Sequence, residues 1–217
     1  MSGRFLSPKR PSPYRYFFTE EPSPLVYSRS MKPWLILLWG APAAGKSTLA
    51  RCLSAEYQRR THDVLPHLGT DKLNASIMGD NYEGSIRPQI YDCLLHLTEG
   101  LLVAGLPVML EGTFLRPEMR EKVALIAEHS EARLLSVQVE CRLALRESRN
   151  DRRNVGAHVP ESYLRQAHHL AKDQIRQADF VFDTELHEPE GLAAFLLGAV
   201  GVMPICRNFA TRVPSTL

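Results

Sequence analysis

Residues 40–47, Gly40-Ala41-Pro42-Ala43-Ala44-Gly45-Lys46-Ser47, carry glycine, glycine, lysine and serine at the spacing G-x-x-x-x-G-K-[ST]. Glycines at those two positions let a backbone turn tightly and come close to a ligand. The amides of such a loop, together with the start of a following helix, point at an anion. A lysine able to reach β- and γ-phosphates and a hydroxyl able to hold Mg²⁺ complete a triphosphate site. The spacing therefore predicts that Gly40 to Thr48 bind ATP, with Mg²⁺ on Ser47. The motif carries this meaning only between a strand and a helix. An apolar run, Trp34-Leu35-Ile36-Leu37-Leu38-Trp39, precedes it, and Thr48-Leu49-Ala50-Arg51-Cys52-Leu53 reads as the opening of a helix.

Other residues with chemical capacity fall at the ends of predicted strands. Asp71 follows the second strand; it is either a helix cap or a carboxylate near the γ-phosphate. In the latter place it would accept a proton from a substrate hydroxyl or support Mg²⁺ through water. Glu111 closes an apolar strand as a Walker B acid does, and is read as a Mg²⁺-shell or substrate contact. Thr113 and Arg116 come just after it, as substrate contacts or as turn and cap residues. Arg142, Arg146, Arg149, Arg152 and Arg153 crowd one further segment. Arg149 and Arg153 are four apart and so predicted on one helical face; Arg142, Arg146 and Arg149 form a second stripe. The ordinary reading of such a run is a solvated basic face. Following the fourth strand of a phosphate-loop domain, it is also where lid arginines would neutralise a transferring phosphoryl group. His158, His168 and His169 have no carboxylate or cysteine at metal spacing and are read as surface or packing residues.

Positioning these groups requires alternating strands and helices. Strands are predicted at 34–39, 64–69 (weakened by Pro66), 107–110, 133–140 and 179–182. Helices are predicted at 46–60, 71–78, 86–104, 117–129, 142–152, 161–177 and 188–200, with Thr70 or Asp71 capping the second and Gly105 ending the third. Residues 79–84 and 154–160 read as loops. All-apolar strands in this order imply an α/β protein with a parallel five-stranded sheet and helices on both faces; with the phosphate loop after the first strand, the fold expected is that of a P-loop NTPase, with a short Arg-rich lid. Right-handed crossovers would gather the ligand at the carboxyl ends of the strands.

The 217 residues suit one domain with a sizeable core, and 44% apolar with 23% charged residues is ordinary globular composition. A net charge of +2, without interleaved basic and aromatic residues, gives no push towards nucleic acid or membrane. No apolar run reaches the roughly 18 residues of a membrane span; the longest, 192–203, is broken by Gly198 and Gly201. Cys52, Cys93, Cys141 and Cys206 are scattered and are expected as mostly buried thiols in a reducing, cytoplasmic setting. Residues 1–33, rich in Ser-Pro pairs and lacking periodicity, are expected as a disordered leader, with Met31 an alternative start. Residues 34–200 form the expected catalytic domain and 201–217 a loose tail.

Over 34–185 these residues resemble the small P-loop kinases, a superfamily that includes zeta toxins, chloramphenicol phosphotransferase, gluconate kinase and the kinase module of polynucleotide kinases. The resemblance rests on 34–50, Thr70-Asp71, residues 108–116 with Arg120, Val139-Glu140-Cys141, the Arg149 and Arg153 pair, and Phe180-Val181-Phe182-Asp183-Thr184. It implies that Asp71 is the general base or hydroxyl contact and that Arg149 and Arg153 hold phosphates. Many of these kinases carry Asp where this chain has Glu111. Glu111-Gly112-Thr113 looks more like a zeta toxin, in which that Glu and Thr bind substrate, although this chain is short for the zeta toxins' substrate-binding insertions.

The expectation is an ATP- and Mg²⁺-dependent kinase acting on a hydroxyl of a small molecule, with Lys46, Asp71, Arg149 and Arg153 catalytic and Asp71, Glu111, Thr113 and Arg116 facing the substrate. Two readings stay beside it: a nucleotide-switched regulator that turns ATP over slowly or not at all, and a nucleotide-sugar or nucleic-acid 5′-end kinase. The acceptor and the oligomeric state stay open.

Overall fold

The computed structural model describes residues 32–79, 84–153, 159–174 and 177–203. The expected leader up to Met31, most of the loop at 79–84, the lid loop at 154–158 with His158, and the tail from 204 lie outside the described residues.

The chain runs β1 (Trp34–Trp39), α1 (Lys46–Thr61), β2 (His67–Gly69), α2 (Thr70–Met78), a 3₁₀ turn (Gly84–Ile86), α3 (Arg87–Val103) and β3 (Val108–Glu111). It continues through α4 (Pro117–His129), β4 (Arg133–Glu140), α5 (Leu143–Asp151), α6 (Glu161–Lys172), β5 (Phe180–Asp183) and α7 (Pro189–Ala199). The five strands form one sheet in the order β2-β3-β1-β4-β5. All four pairings are parallel.

The apolar run of β1 is explained by its place at the centre of this sheet. Trp34, Ile36 and Leu38 face one core with Leu49, Leu53 and Tyr57 of α1 and Leu196 and Leu197 of α7. Leu35, Leu37 and Trp39 face the other, with Leu94 and Leu102 of α3 and Val123 of α4. Leu35, Ile36, Leu37 and Leu38 are each at most 1% exposed. Each such burial stabilises by about 2 kcal/mol. A strand buried on both faces shows no alternation, which is why the sequence reads as continuous apolar.

Several predicted boundaries move for identifiable reasons. The second strand is His67–Gly69 rather than 64–69. Pro66 lacks an N–H and enters the ladder only through its carbonyl, which accepts from Met109 N at 2.9 Å. Neither Thr70 nor Asp71 caps α2; its N-cap is Gly69 and no side chain bonds there. Gly105, at φ 82, ends α3 as expected. Its N–H donates to Leu102 O and that of Leu106 to Leu101 O, the Schellman pattern. Helix α6 ends at Lys172, short of the expected 177.

Because β1 lies between β3 and β4, successive crossovers leave it on opposite sides. The crevice outside the carboxyl ends of β1, β2 and β3 is thus a topological switch point, where open parallel sheets bind ligands.

Candidate functional site

The loop after β1 begins at Gly40, where φ is 140 and a Cβ would lie 2.2 Å from Val139 O. Only glycine fits that approach. The loop is tied to β3 by Gly40 N donating to Thr113 O at 3.1 Å, while Gly112 N donates to Leu38 O at 3.1 Å. Ala43 takes φ 61 and Gly45 φ 107, curling the loop before α1 starts at Lys46. Ala41 and Ala44 are fully buried beneath it. Pro42, Ala43, Gly45, Lys46, Ser47 and Thr48 line the cavity above.

Lys46 Nζ donates to Gly40 O at 3.0 Å and Ala41 O at 2.9 Å, so the ammonium rests on the loop's own carbonyls. Burial pulls its pKa down to about 8, with Arg153 and Arg146 adding to the effect and Glu111 and Asp71 opposing it.

Ser47 Oγ donates to Glu111 Oε1 at 2.5 Å. The other oxygen, Oε2, bonds His67 Nε2 at 2.9 Å. Burial pushes the Glu111 carboxyl up, but hydrogen bonds from His67 and Ser47 and the charge of Lys46 outweigh it and hold the group below its usual range. His67 was not singled out in the sequence. A histidine on a three-residue strand carries no local signal, and only the β2–β3 pairing brings it to Glu111.

Asp71 sits in the first turn of α2 and lines the same cavity. Thr113 also lines it; its Oγ1 shares a hydrogen bond with Tyr91 OH at 2.9 Å and accepts from Arg87 Nη2 at 3.4 Å. Arg116 is not brought there. It is the exposed N-cap residue of α4 and lines a separate depression with Leu115, Pro117 and Leu170.

The arginine segment divides in a way helical spacing did not foretell. Arg142 precedes α5 and pairs with Glu185 at 2.7 Å on the surface. Arg146 is 1% exposed, so the segment is not a solvated basic face. Arg149 Nη1 donates to Ala44 O at 3.2 Å, Ala43 O at 3.4 Å and Thr184 Oγ1 at 3.0 Å. Arg153 lies beyond the helix end, in a turn closed by its N–H to Asn150 O at 3.0 Å, so it shares no helical face with Arg149. Both nevertheless line the cavity. His168 is buried against α5 and His169 is exposed, as packing and surface residues. Among the described residues Cys52, Cys93 and Cys141 are unpaired, but only Cys141 is buried; Cys93 is exposed.

The cavity measures about 1400 Å³, larger than the roughly 300–1,000 Å³ of a pocket for one drug-sized ligand. Lys72, Asn74, Arg87, Thr184, Glu185, His187 and Pro189 also line it. Among the described residues no group of three or more His, Cys, Asp or Glu could hold a metal unaided. Ser47 and Glu111 do offer oxygen donors, which with phosphate oxygens and water suit a hard cation such as Mg²⁺. No helix among the described residues is long and apolar enough to cross a membrane.

A family model described as an AAA domain matches residues 35–177. No curated protein matches the sequence. Among solved structures, a sugar kinase from Janibacter superposes with a TM-score of 0.57 at 15% identity, over 79% of this chain and 96% of that one. The APS kinase CysC of Mycobacterium tuberculosis, in complex with AMPPNP and APS, gives 0.58 at 13% identity over 77% and 96%. A chain of the Pnkp1/Rnl/Hen1 RNA repair complex gives 0.58 at 20% identity over 71% and 49%. These likenesses establish the fold, which is that of the P-loop kinases. The fold by itself does not exclude a nucleic-acid acceptor.

Proposed function

The chain belongs to the AAA domain family, and on that footing we propose that it is an ATP- and Mg²⁺-dependent kinase transferring the γ-phosphoryl group to a hydroxyl of a small molecule. The observation that carries this reading is the presence of Asp71 in one cavity with Lys46 and the Ser47–Glu111 pair. A loop that only bound nucleotide would have no use for a carboxylate on the acceptor side.

Mg²⁺ held by Ser47, by Glu111 through water and by phosphate oxygens would neutralise charge on the triphosphate. The chain's own residues do the rest. The loop amides and Lys46 hold the β- and γ-phosphates once Nζ leaves the carbonyls of Gly40 and Ala41. Arg149 braces the loop from behind, and Arg153 faces the transferring group. Asp71 accepts the proton of the acceptor hydroxyl as its oxygen attacks the γ-phosphorus. The bond to the bridging oxygen breaks and ADP leaves. Thr113 with Arg87, and Asn74, shape the acceptor side, while Thr184, His187 and Pro189 accommodate the nucleoside end.

The test is ADP release from MgATP in the presence of sugars, aminoglycosides, nucleosides, nucleotide-sugars and a 5′-hydroxyl oligonucleotide. Turnover that rises with one class and vanishes in Lys46→Ala supports the proposal and names the acceptor. Slow turnover indifferent to every class overturns it in favour of a nucleotide-switched regulator.

A further inference from the structure

Four side chains form one hydrogen-bonded row, of which Lys72, Glu111 and Ser47 line the cavity. Lys72 Nζ bonds His67 Nδ1 at 3.1 Å, His67 Nε2 bonds Glu111 Oε2 at 2.9 Å, and Ser47 Oγ bonds Glu111 Oε1 at 2.5 Å. The row fixes its own protons. An ammonium has three donors and no acceptor, so Nδ1 of His67 must be the accepting nitrogen. The remaining ring proton is then on Nε2 and is donated to Glu111. His67 is thus held with Nε2 towards Glu111 and Nδ1 towards Lys72.

The sheet makes the row possible. Gly69 stands directly opposite Glu111 in the β2–β3 register, and His67 is opposite Met109, so His67 and Glu111 are diagonal neighbours on one face. Gly69 has no side chain to stand between them; even its missing Cβ position is 3.8 Å from both His67 Nε2 and Glu111 Oε2. The His67 and Glu111 side chains are only 11% and 10% exposed. In such a setting a carboxylate with one oxygen tied down has little rotational freedom.

We propose that His67 is a positioning residue for Glu111, turning Oε1 towards Ser47 and the cation beside it, and that Lys72 selects the tautomer in which His67 does so. This rests on reading the site as one for a Mg²⁺–nucleotide.

The experiment is calorimetric titration of the full chain with a non-hydrolysable ATP analogue, with and without Mg²⁺, and melting as a control for folding. Outer-shell partners of metal ligands are worth about 10–100-fold in metal affinity. His67→Ala is expected to lose about tenfold or more of the Mg²⁺-dependent gain while metal-free affinity stays within about twofold. His67→Gln, whose amide can donate from the same place, is expected to restore most of it. Lys72→Met is expected to shift ¹⁵N resonances of the His67 ring away from the Nε2–H tautomer. A His67→Ala protein that keeps the full gain, or an equal loss with and without Mg²⁺ that Gln does not restore, overturns the proposal. If His67→Ala does not fold, His67→Gln and Lys72→Met decide: loss of the gain in His67→Gln, or an unchanged tautomer in Lys72→Met, sinks it. Should Mg²⁺ fail to tighten binding even in the wild type, the reading of the site fails first, and the two failures are told apart.

Discussion

Ser47 Oγ and Glu111 Oε1 meet at 2.5 Å although 64 positions separate them in sequence. The contact joins the first turn of α1 to the end of β3 and puts an acid beside the hydroxyl that the loop motif reserves for Mg²⁺. Of the two roles open to Glu111 in the sequence, this geometry supports the metal side. Glu111→Gln keeps the size but removes the charge, and its amide must now face either Ser47 or His67. We expect kcat to fall about 10²–10³-fold, the scale for losing one preorganised electrostatic contact. Raising Mg²⁺ should recover part of the loss, as initial rates across a Mg²⁺ series would show.

Asp71→Asn separates base from binder. It preserves shape and some hydrogen bonding while removing the proton acceptor, so kcat should drop about 10²–10⁴-fold. MgATP affinity, measured by calorimetry with a non-hydrolysable analogue, should change little. Equal loss of affinity would make Asp71 a member of the Mg²⁺ shell and move the search for a base to Glu111.

Arg149 and Arg153 should behave differently despite their spacing. Arg149 bonds Ala43 O, Ala44 O and Thr184 Oγ1, and a net hydrogen bond is worth about 1 kcal/mol. Arg149→Ala should therefore lower stability and nucleotide affinity together, because the loop loses its brace. Arg153 is exposed, so Arg153→Ala should lower the melting temperature less than Arg149→Ala does, while lowering kcat. Melting curves alongside initial rates separate the two.

Lys46 makes stability and binding depend on pH. Its folded pKa, about 8, lies below the ordinary value of 10.5. Below pH 8 the buried ammonium therefore costs stability in full. As pH rises from about 8 towards 10.5 the folded state sheds its proton first, and the cost is relieved. Lys46→Met should abolish phosphoryl transfer yet be more stable than wild type at pH 7, by roughly 1–3 kcal/mol, with the gap closing by pH 10 in urea titrations. Bound phosphates favour the charged form. Nucleotide binding near pH 8.5 should thus take up a fraction of a proton, visible as a buffer-dependent binding enthalpy.

The sequence by itself determined what is local. A glycine-rich loop between an apolar run and a helix start needs only neighbouring residues to be recognised, and Gly40 through Thr48 take the conformation the motif demands. The alternation of elements, and with it the parallel sheet, follows from hydrophobic period and strand length. Asp71 and Thr113 were legible because each follows a strand, and strand ends converge in such a sheet. The tertiary structure alone decided which side chains touch. His67 reaches Glu111 only through the register of β2 on β3, and Ser47 reaches it only because β1 and β3 are neighbours. Arg116 follows β3 as Thr113 does, yet the start of α4 carries it to another face. Arg146 and Arg149 share a helix, but the packing of α5 on α6 buries the first and aims the second at the loop. Spacing along a chain fixes which residues share a face. Which face turns inward depends on what packs against it, and that partner lies far away in sequence.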